Sequence, residues 1–213
     1  LTHRNLMSNI DGILKHVTFE ENEKFLSFLP LSHSFERMCG HFSSFAIGAQ
    51  VFYAESIETV PANLQEVKPT VVISVPRLYE KMYSRVLDGL KIAPSIRQKI
   101  FWWATGVGKE STSYRLQNEA YPFLLNIKHK IASKLVYSKV KERVGGNLRF
   151  FVSGGAPLSK EIAEFFAAVN ITIIEGYGLS ETSPILTANS QDGIKFGSVG
   201  KSLFNVDIKI ADD

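Results

Sequence analysis

The chain has 213 residues, 45% of them hydrophobic, with a formal net charge of +3 and a mean hydropathy of +0.01. Its one cysteine, Cys39, excludes an internal disulfide framework and a cysteine zinc cluster, and no apolar run is long enough to cross a bilayer as a helix. The size suits one large α/β domain or two small ones, and a lone cysteine fits a reducing, cytoplasmic setting.

Thr2 can cap a first helix whose apolar residues Leu6, Ile10, Leu14 and Val17 recur at helical spacing. "KFLSFLPL" (24–31) reads as a buried strand ended by Pro30, and a helix through Phe42, Phe45 and Ile47 follows. "AQVFYAE" (49–55) is a strand. "VPANLQEVK" (60–68) is a short helix with Pro61 in its first turn, where a missing N–H costs nothing. The β-branched "PTVVISV" (69–75) predicts a fully buried strand, and Pro76 opens another helix. From Ser84 to Val144 the pattern is helical and basic until Gly145 and Gly146 close it. "LRFFVS" (148–153) is a strand, "GGAPLS" a tight turn, and Ser159 is placed to cap the helix "KEIAEFFAAV". "ITIIE" (171–175) is the next strand, and "EGYGLSETSP" (175–184) reads as the loop beyond it. "DIKIADD" (207–213) predicts a last strand running into a turn.

Strands that alternate with helices predict an α/β fold: a mostly parallel sheet with helices on both faces. Ligands of such sheets bind beyond the carboxyl ends of the strands, where "SGGAPL" and "EGYGLSETSP" are expected to line one crevice. Charge is unevenly spread. Arg85 to Val144 holds twelve Lys/Arg against four Asp/Glu, a net of +8 that leaves −5 for the remainder. A solvated helical surface explains such a segment, and so does a docking face for anionic lipid or another polyanion.

The two loops carry chemistry. Gly154, Gly155, Gly176 and Gly178 allow close approach of backbone to a flat ligand or a phosphate, unless they only make turns. Tyr177 offers a face for a base, or packs. Thr182 offers a hydroxyl to a phosphate oxygen, and Glu181 a carboxylate suited to Mg²⁺. The set suits a nucleotide triphosphate with its metal, and neither a G-x-G-x-x-G nor a Walker A pattern is present.

"YGLSET" (177–182) resembles the signature of the adenylate-forming enzymes, the superfamily of acyl-CoA synthetases, luciferases and peptide-synthetase adenylation domains. "FVSGGAPLS" (151–159) resembles its adenine loop and "FLPLSHSFER" (28–37) its acyl-site motif. "ISVPRLYEKMY" (73–83) and the basic insertion at about 84–146 are similar to long-chain fatty acyl-CoA synthetases. The resemblance covers the whole chain as part of the AMP-binding N-terminal domain. It implies that Gly155, Ala156 and Pro157 border adenine, that Tyr177 stacks on it, and that Glu175, Gly176 and Gly178 shape the pocket by backbone. It further implies that Thr182 meets phosphate, Glu181 holds Mg²⁺ and His33 lies near the acyl carboxylate. For His33 the alternative is a satisfied structural histidine; His3, His16, His41 and His129 read as structural or exposed.

The implied reaction joins a long-chain fatty acid to CoA through acyl-AMP, with ATP and Mg²⁺. An acyl carrier protein is the rival acceptor, a non-catalytic nucleotide- or lipid-binding module the rival outside catalysis, and no nucleic-acid partner is implied. A serine hydrolase using Ser153 or Ser180 with His33 lacks the G-x-S-x-G elbow. The resemblance also implies a segment of a longer protein, with the phosphate loop, a ribose-binding aspartate and a C-terminal domain outside it. On that reading the segment alone is expected not to form acyl-AMP. The oligomeric state is open, and peripheral contact with an anionic membrane is the expectation from the basic segment.

Overall fold

A computed structural model describes residues 1–211. Among them, seven strands are formed: β1 (Lys24–Ser27), β2 (Gln50–Tyr53), β3 (Val71–Ser74), β4 (Phe150–Ser153), β5 (Thr172–Gly178), β6 (Ile185–Ala188) and β7 (Lys201–Ser202). They make one sheet in the order β2-β1-β3-β4-β5-β6-β7. The first five in that order are parallel, and β6 and β7 close one edge antiparallel. The expected mostly parallel sheet is present.

The helices are α1 (His3–His16), a π-helical turn (Glu36–Phe42) running into α2 (Ser43–Ala46), α3 (Val60–Val67), α4 (Pro76–Lys91), α5 (Ser95–Leu116), α6 (Phe123–Ala132), α7 (Ser138–Glu142) and α8 (Lys160–Ala168). A second π-helical turn (Ser133–Tyr137) makes α6 and α7 one continuous rod. Thr2 caps α1 in a capping box: its hydroxyl accepts from the Asn5 amide while the Asn5 side chain accepts from the Thr2 amide. Ser159 sits at the cap of α8 but makes no capping hydrogen bond, contrary to expectation.

The sheet separates two cores because successive side chains of a strand face opposite ways. Phe25, Val71, Ile73, Phe150 and Ile174 face α1 and the first π-helical turn, where Ile10, Val17, Met38 and Cys39 meet them. Leu26, Val72, Phe151 and Ile173 face α3, α4, α5, α6 and α8. Helices therefore cover both faces, as expected. Phe150 and Phe151 are 1% and 0% exposed, and burying each such ring contributes about 2–3 kcal/mol. The basic segment packs its apolar residues, among them Phe101, Val107, Leu125 and Val136, into the second core.

Two readings of the chain end differently. "EGYG" is not loop: β5 runs on through Gly178 and pairs with β6, in a hairpin that local sequence does not announce. Residues 207–211 form no strand, and the rest of the predicted final strand and turn lies outside the described residues.

Candidate functional site

The parallel strands β1, β3, β4 and β5 all end at one edge of the sheet, so the segments that leave them meet there. Two cavities open at this edge. The wider one, about 490 Å³, is bordered by Pro30, His33, Glu36, Arg77, Glu80 and the Gly155–Pro157 turn. The narrower one, about 80 Å³, runs between the sheet and α1, past Ile13, Val17, Phe19, Cys39, Ile73 and Ile174. His33, Phe35 and Gly155 border both. The wide cavity carries His33, Glu36, Arg77 and Glu80 among apolar neighbours such as Leu29, Phe35 and Val75, whereas the lining of the slot is more uniformly apolar.

The β5–β6 hairpin forms a wall of the narrow slot through Gly176, Tyr177, Gly178, Leu179, Ser180, Pro184 and Ile185. Tyr177 is 47% exposed and lines the slot. Gly178 is required for a reason the sequence alone does not disclose: a Cβ there would stand 1.7 Å from the Pro184 carbonyl oxygen across the hairpin. Thr182 closes the same turn. Its hydroxyl accepts from the Leu179 amide at 3.0 Å and lies 2.6 Å from the Pro184 carbonyl, to which it donates. To donate to a phosphate oxygen, that hydroxyl has to leave Pro184. Glu181 is exposed, and no ion pair engages it among the described residues.

The opposite wall comes from "FLPLSHSFER". The Ser34 and Ser180 hydroxyls lie 2.8 Å apart and tie the two motifs together across the slot. The Phe35 ring lies over the turn after β4: a Cβ on Gly154 would come within 2.7 Å of it. Gly154 therefore makes room for a protein ring rather than for a ligand. Gly155 has φ +79, the left-handed turn region, and carries the Ala156 and Pro157 border of the wide cavity. The His33 ring accepts the Phe35 amide at Nδ1, 3.2 Å away. A neutral ring with that bond carries its proton on Nε2, as a donor.

Two buried carboxyl groups stand around the site, and sequence reading assigned a side-chain role to neither. Glu36, on the π-helical turn, is 1% exposed. Its Oε1 accepts from the Ser27 hydroxyl at 2.5 Å and its Oε2 has no protein partner. Burial pushes its pKa up to about 7, with the Ser27 hydrogen bond opposing. Glu175 stands in a register row, Ser74–Ser153–Glu175, that crosses the last residues of β3 and β4 and the middle of β5. Its Oε1 and the Ser153 hydroxyl are buried without partners, and burial raises its pKa. The wide cavity also receives the amino terminus of α4 through Val75, Pro76 and Arg77. Pro76 has no amide and the Leu78 amide bonds the Val75 carbonyl, so the anion attraction on that side comes from the Arg77 guanidinium and the positive end of the helix dipole. Arg77 lies in "ISVPRLYEKMY", where no local pattern marks it as a site residue.

Of the residues singled out by sequence, Gly154, Gly155, Ala156, Pro157, Gly176, Tyr177, Gly178 and His33 border one or both cavities. Glu175, Glu181 and Thr182 lie on the same strand and hairpin but line neither. Among the described residues neither Ser153 nor Ser180 hydrogen-bonds His33, so the geometry offers no Ser–His pair.

The family model for AMP-binding enzymes matches residues 1–213. The Long-chain-fatty-acid–CoA ligase FadD15 of Mycobacterium bovis is 35% identical, over 100% of this chain and 35% of its own length. Long chain acyl-CoA synthetase 6, peroxisomal, of Arabidopsis thaliana is 32% identical, over 100% of this chain and 29% of its own. The chain thus spans about a third of the curated relatives it matches. In fold it is similar to the N-terminal domain of FACL13 from Mycobacterium tuberculosis, with a TM-score of 0.62 at 18% identity over 96% of this chain and 39% of that one.

Proposed function

We propose that this chain, which belongs to the family of AMP-binding enzymes, is the part of a long-chain fatty acid–CoA ligase that holds the adenylate and the head of the acyl chain. The observation that carries the reading is that the two cavities lie side by side and share His33, Phe35 and Gly155 in their walls. A fatty acid has a charged head and an apolar tail, and the site sets a cavity bearing His33 and Arg77 beside an apolar slot. The relatives named above bear the same activity in their names.

In this reading the tail enters the slot past Cys39, Ile73 and Ile174, and the carboxylate stops beside His33. The Nε2–H of His33 donates to the carboxylate and orients it. The adenine lies between the Gly155–Pro157 turn and Tyr177, with its phosphates toward the hairpin and Thr182. The carboxylate oxygen attacks the α-phosphate of ATP, the bond to pyrophosphate breaks, and acyl-AMP forms. The CoA thiol then attacks the acyl carbon and AMP leaves. No protein nucleophile is needed; the chain contributes positioning and stabilisation of charge. Mg²⁺ suits the exposed Glu181 carboxylate, since it takes one or two carboxylates together with substrate phosphates, and bound there it would neutralise phosphate charge. At about 80 Å³ the slot is narrow, so α1 and the π-helical turn part to admit a long tail.

The test is palmitate-dependent ATP–pyrophosphate exchange by the full-length enzyme, followed by product analysis with CoA and with acyl carrier protein offered side by side. Exchange with palmitate and thioester formed on CoA support the reading. An optimum at acetate or an aromatic acid, or transfer to carrier protein alone, contradicts it.

A further inference from the structure

The continuous rod of α6, the π-helical turn and α7 buries one side, through Leu125, Ala132 and Val136, and leaves the other bare. Leu124 (69% exposed), Ile127 (43%), Ile131 (47%) and Leu135 (43%) recur at spacings of three and four, which sets them in one stripe along the outer side of the helix. Lys128, Lys130, Lys134 and Lys139 are all exposed, and at 100° per residue they fall on either side of that stripe. No acidic residue occurs between Phe123 and Lys141. Trp102 and Trp103 are exposed on the neighbouring α5, which packs against α6.

We infer that this stripe is a docking surface for an anionic phospholipid bilayer, with the four apolar side chains seated among the acyl chains and the lysines on the lipid phosphates. An exposed apolar row costs free energy in water and is recovered only against something apolar. The lysines select the partner. A lysine stem lies along apolar surface while its ammonium reaches for charge, the arrangement of a helix that rests in a membrane interface. A second copy of the same stripe, related by a twofold axis, would set lysine against lysine and is disfavoured. Among the described residues no helix is long and apolar enough to cross a membrane, so the contact is with the surface. The inference does not rest on the ligase reading, because vesicle binding is measured without turnover.

The experiment compares the full-length enzyme with two double variants, Ile127→Ser with Ile131→Ser and Lys128→Gln with Lys134→Gln. All positions are exposed, and a melting curve for each checks the fold. Each protein is sedimented with vesicles of phosphatidylcholine, alone and mixed with phosphatidylserine, at low and high salt. The expected result is binding to the anionic vesicles that falls with salt. Losing two lysines weakens it about 25-fold, about fivefold for each, and losing the two isoleucines abolishes it. Failure of the wild type to bind, equal binding to both vesicle types, or variants that bind like the wild type would overturn the inference. A polarity-sensitive dye on Ile131→Cys adds a second reading. A blue shift only on anionic vesicles is expected. A blue shift without vesicles, or a lower molecular mass in the isoleucine variant, would show the stripe already covered by protein and would also overturn it.

Discussion

Replacing Glu36 by glutamine should change how stability depends on pH, by an amount the structure sets. The carboxyl group is held away from water against the first π-helical turn, and a Cβ on Gly40 would stand 2.5 Å from its Oε1. Its folded pKa of about 7 lies above the ordinary 4.5 because burial disfavours the charge. Below pH 4.5 both folded and unfolded chains are protonated at Glu36 and its contribution to stability is full. Between 4.5 and about 7 the unfolded chain has released the proton and the folded chain has kept it, so stability falls as pH rises. At about 1.4 kcal/mol per pH unit, the loss across that window is about 3 kcal/mol. Glu36→Gln keeps an acceptor for the Ser27 hydroxyl and removes the titration. Its amide donors can lose about 1–3 kcal/mol if left unpaired, but that offset is the same at every pH. The neighbouring Cys39 thiol is pushed up by burial and then by the Glu36 charge, so it stays protonated throughout. Urea unfolding of both proteins across the window gives the test. The stability difference, variant minus wild type, should grow by about 3 kcal/mol from its acid to its neutral end. Parallel profiles would refute the buried, proton-holding carboxyl group.

Gly178→Ala should destabilise the hairpin by about 1–3 kcal/mol, because the added methyl meets the Pro184 carbonyl oxygen at 1.7 Å, and thermal melting would show it. Glu181→Ala, at an exposed position with no ion pair among the described residues, should leave melting unchanged and lower adenylate formation about 10²–10³-fold, read by pyrophosphate release. Thr182→Ala should do both harms at once, since its hydroxyl bonds the Leu179 amide and the Pro184 carbonyl. A loss of about 1 kcal/mol for each bond is expected in melting, beside a loss of rate.

What the sequence disclosed was what local chemistry decides. The β-branched "VVIS" became a buried strand, Thr2 became a cap, and Gly145 and Gly146 took the positive φ that ends α7. The meeting of "SGGAPL" with "EGYG" followed from strand order alone, because parallel strands deliver their carboxyl ends to one edge. What stayed hidden depends on partners far along the chain. Gly176 and Gly178 look like turn residues, but β6 pairs with them and holds them extended. Gly154 looked like space for a ligand, and Phe35 from a distant loop fills it. Glu36 reads as one charge in a polar stretch, and only packing of the π-helical turn under β1 buries it. Ser159 has the right residue type for a cap, but its side chain makes no capping bond in this turn.

The central claim is that the slot between the sheet and α1 takes the acyl tail, and filling the slot tests it most directly. Cys39 lines the slot from the π-helical turn and is 5% exposed. A phenylalanine there should shorten the space for a chain while leaving His33 and the nucleotide side in place. ATP–pyrophosphate exchange by the full-length Cys39→Phe enzyme would be measured with palmitate and with octanoate, after melting shows it folded. The account predicts that kcat/KM for palmitate falls relative to octanoate by about tenfold or more. A folded variant with an unchanged palmitate-to-octanoate ratio would place the acyl chain elsewhere.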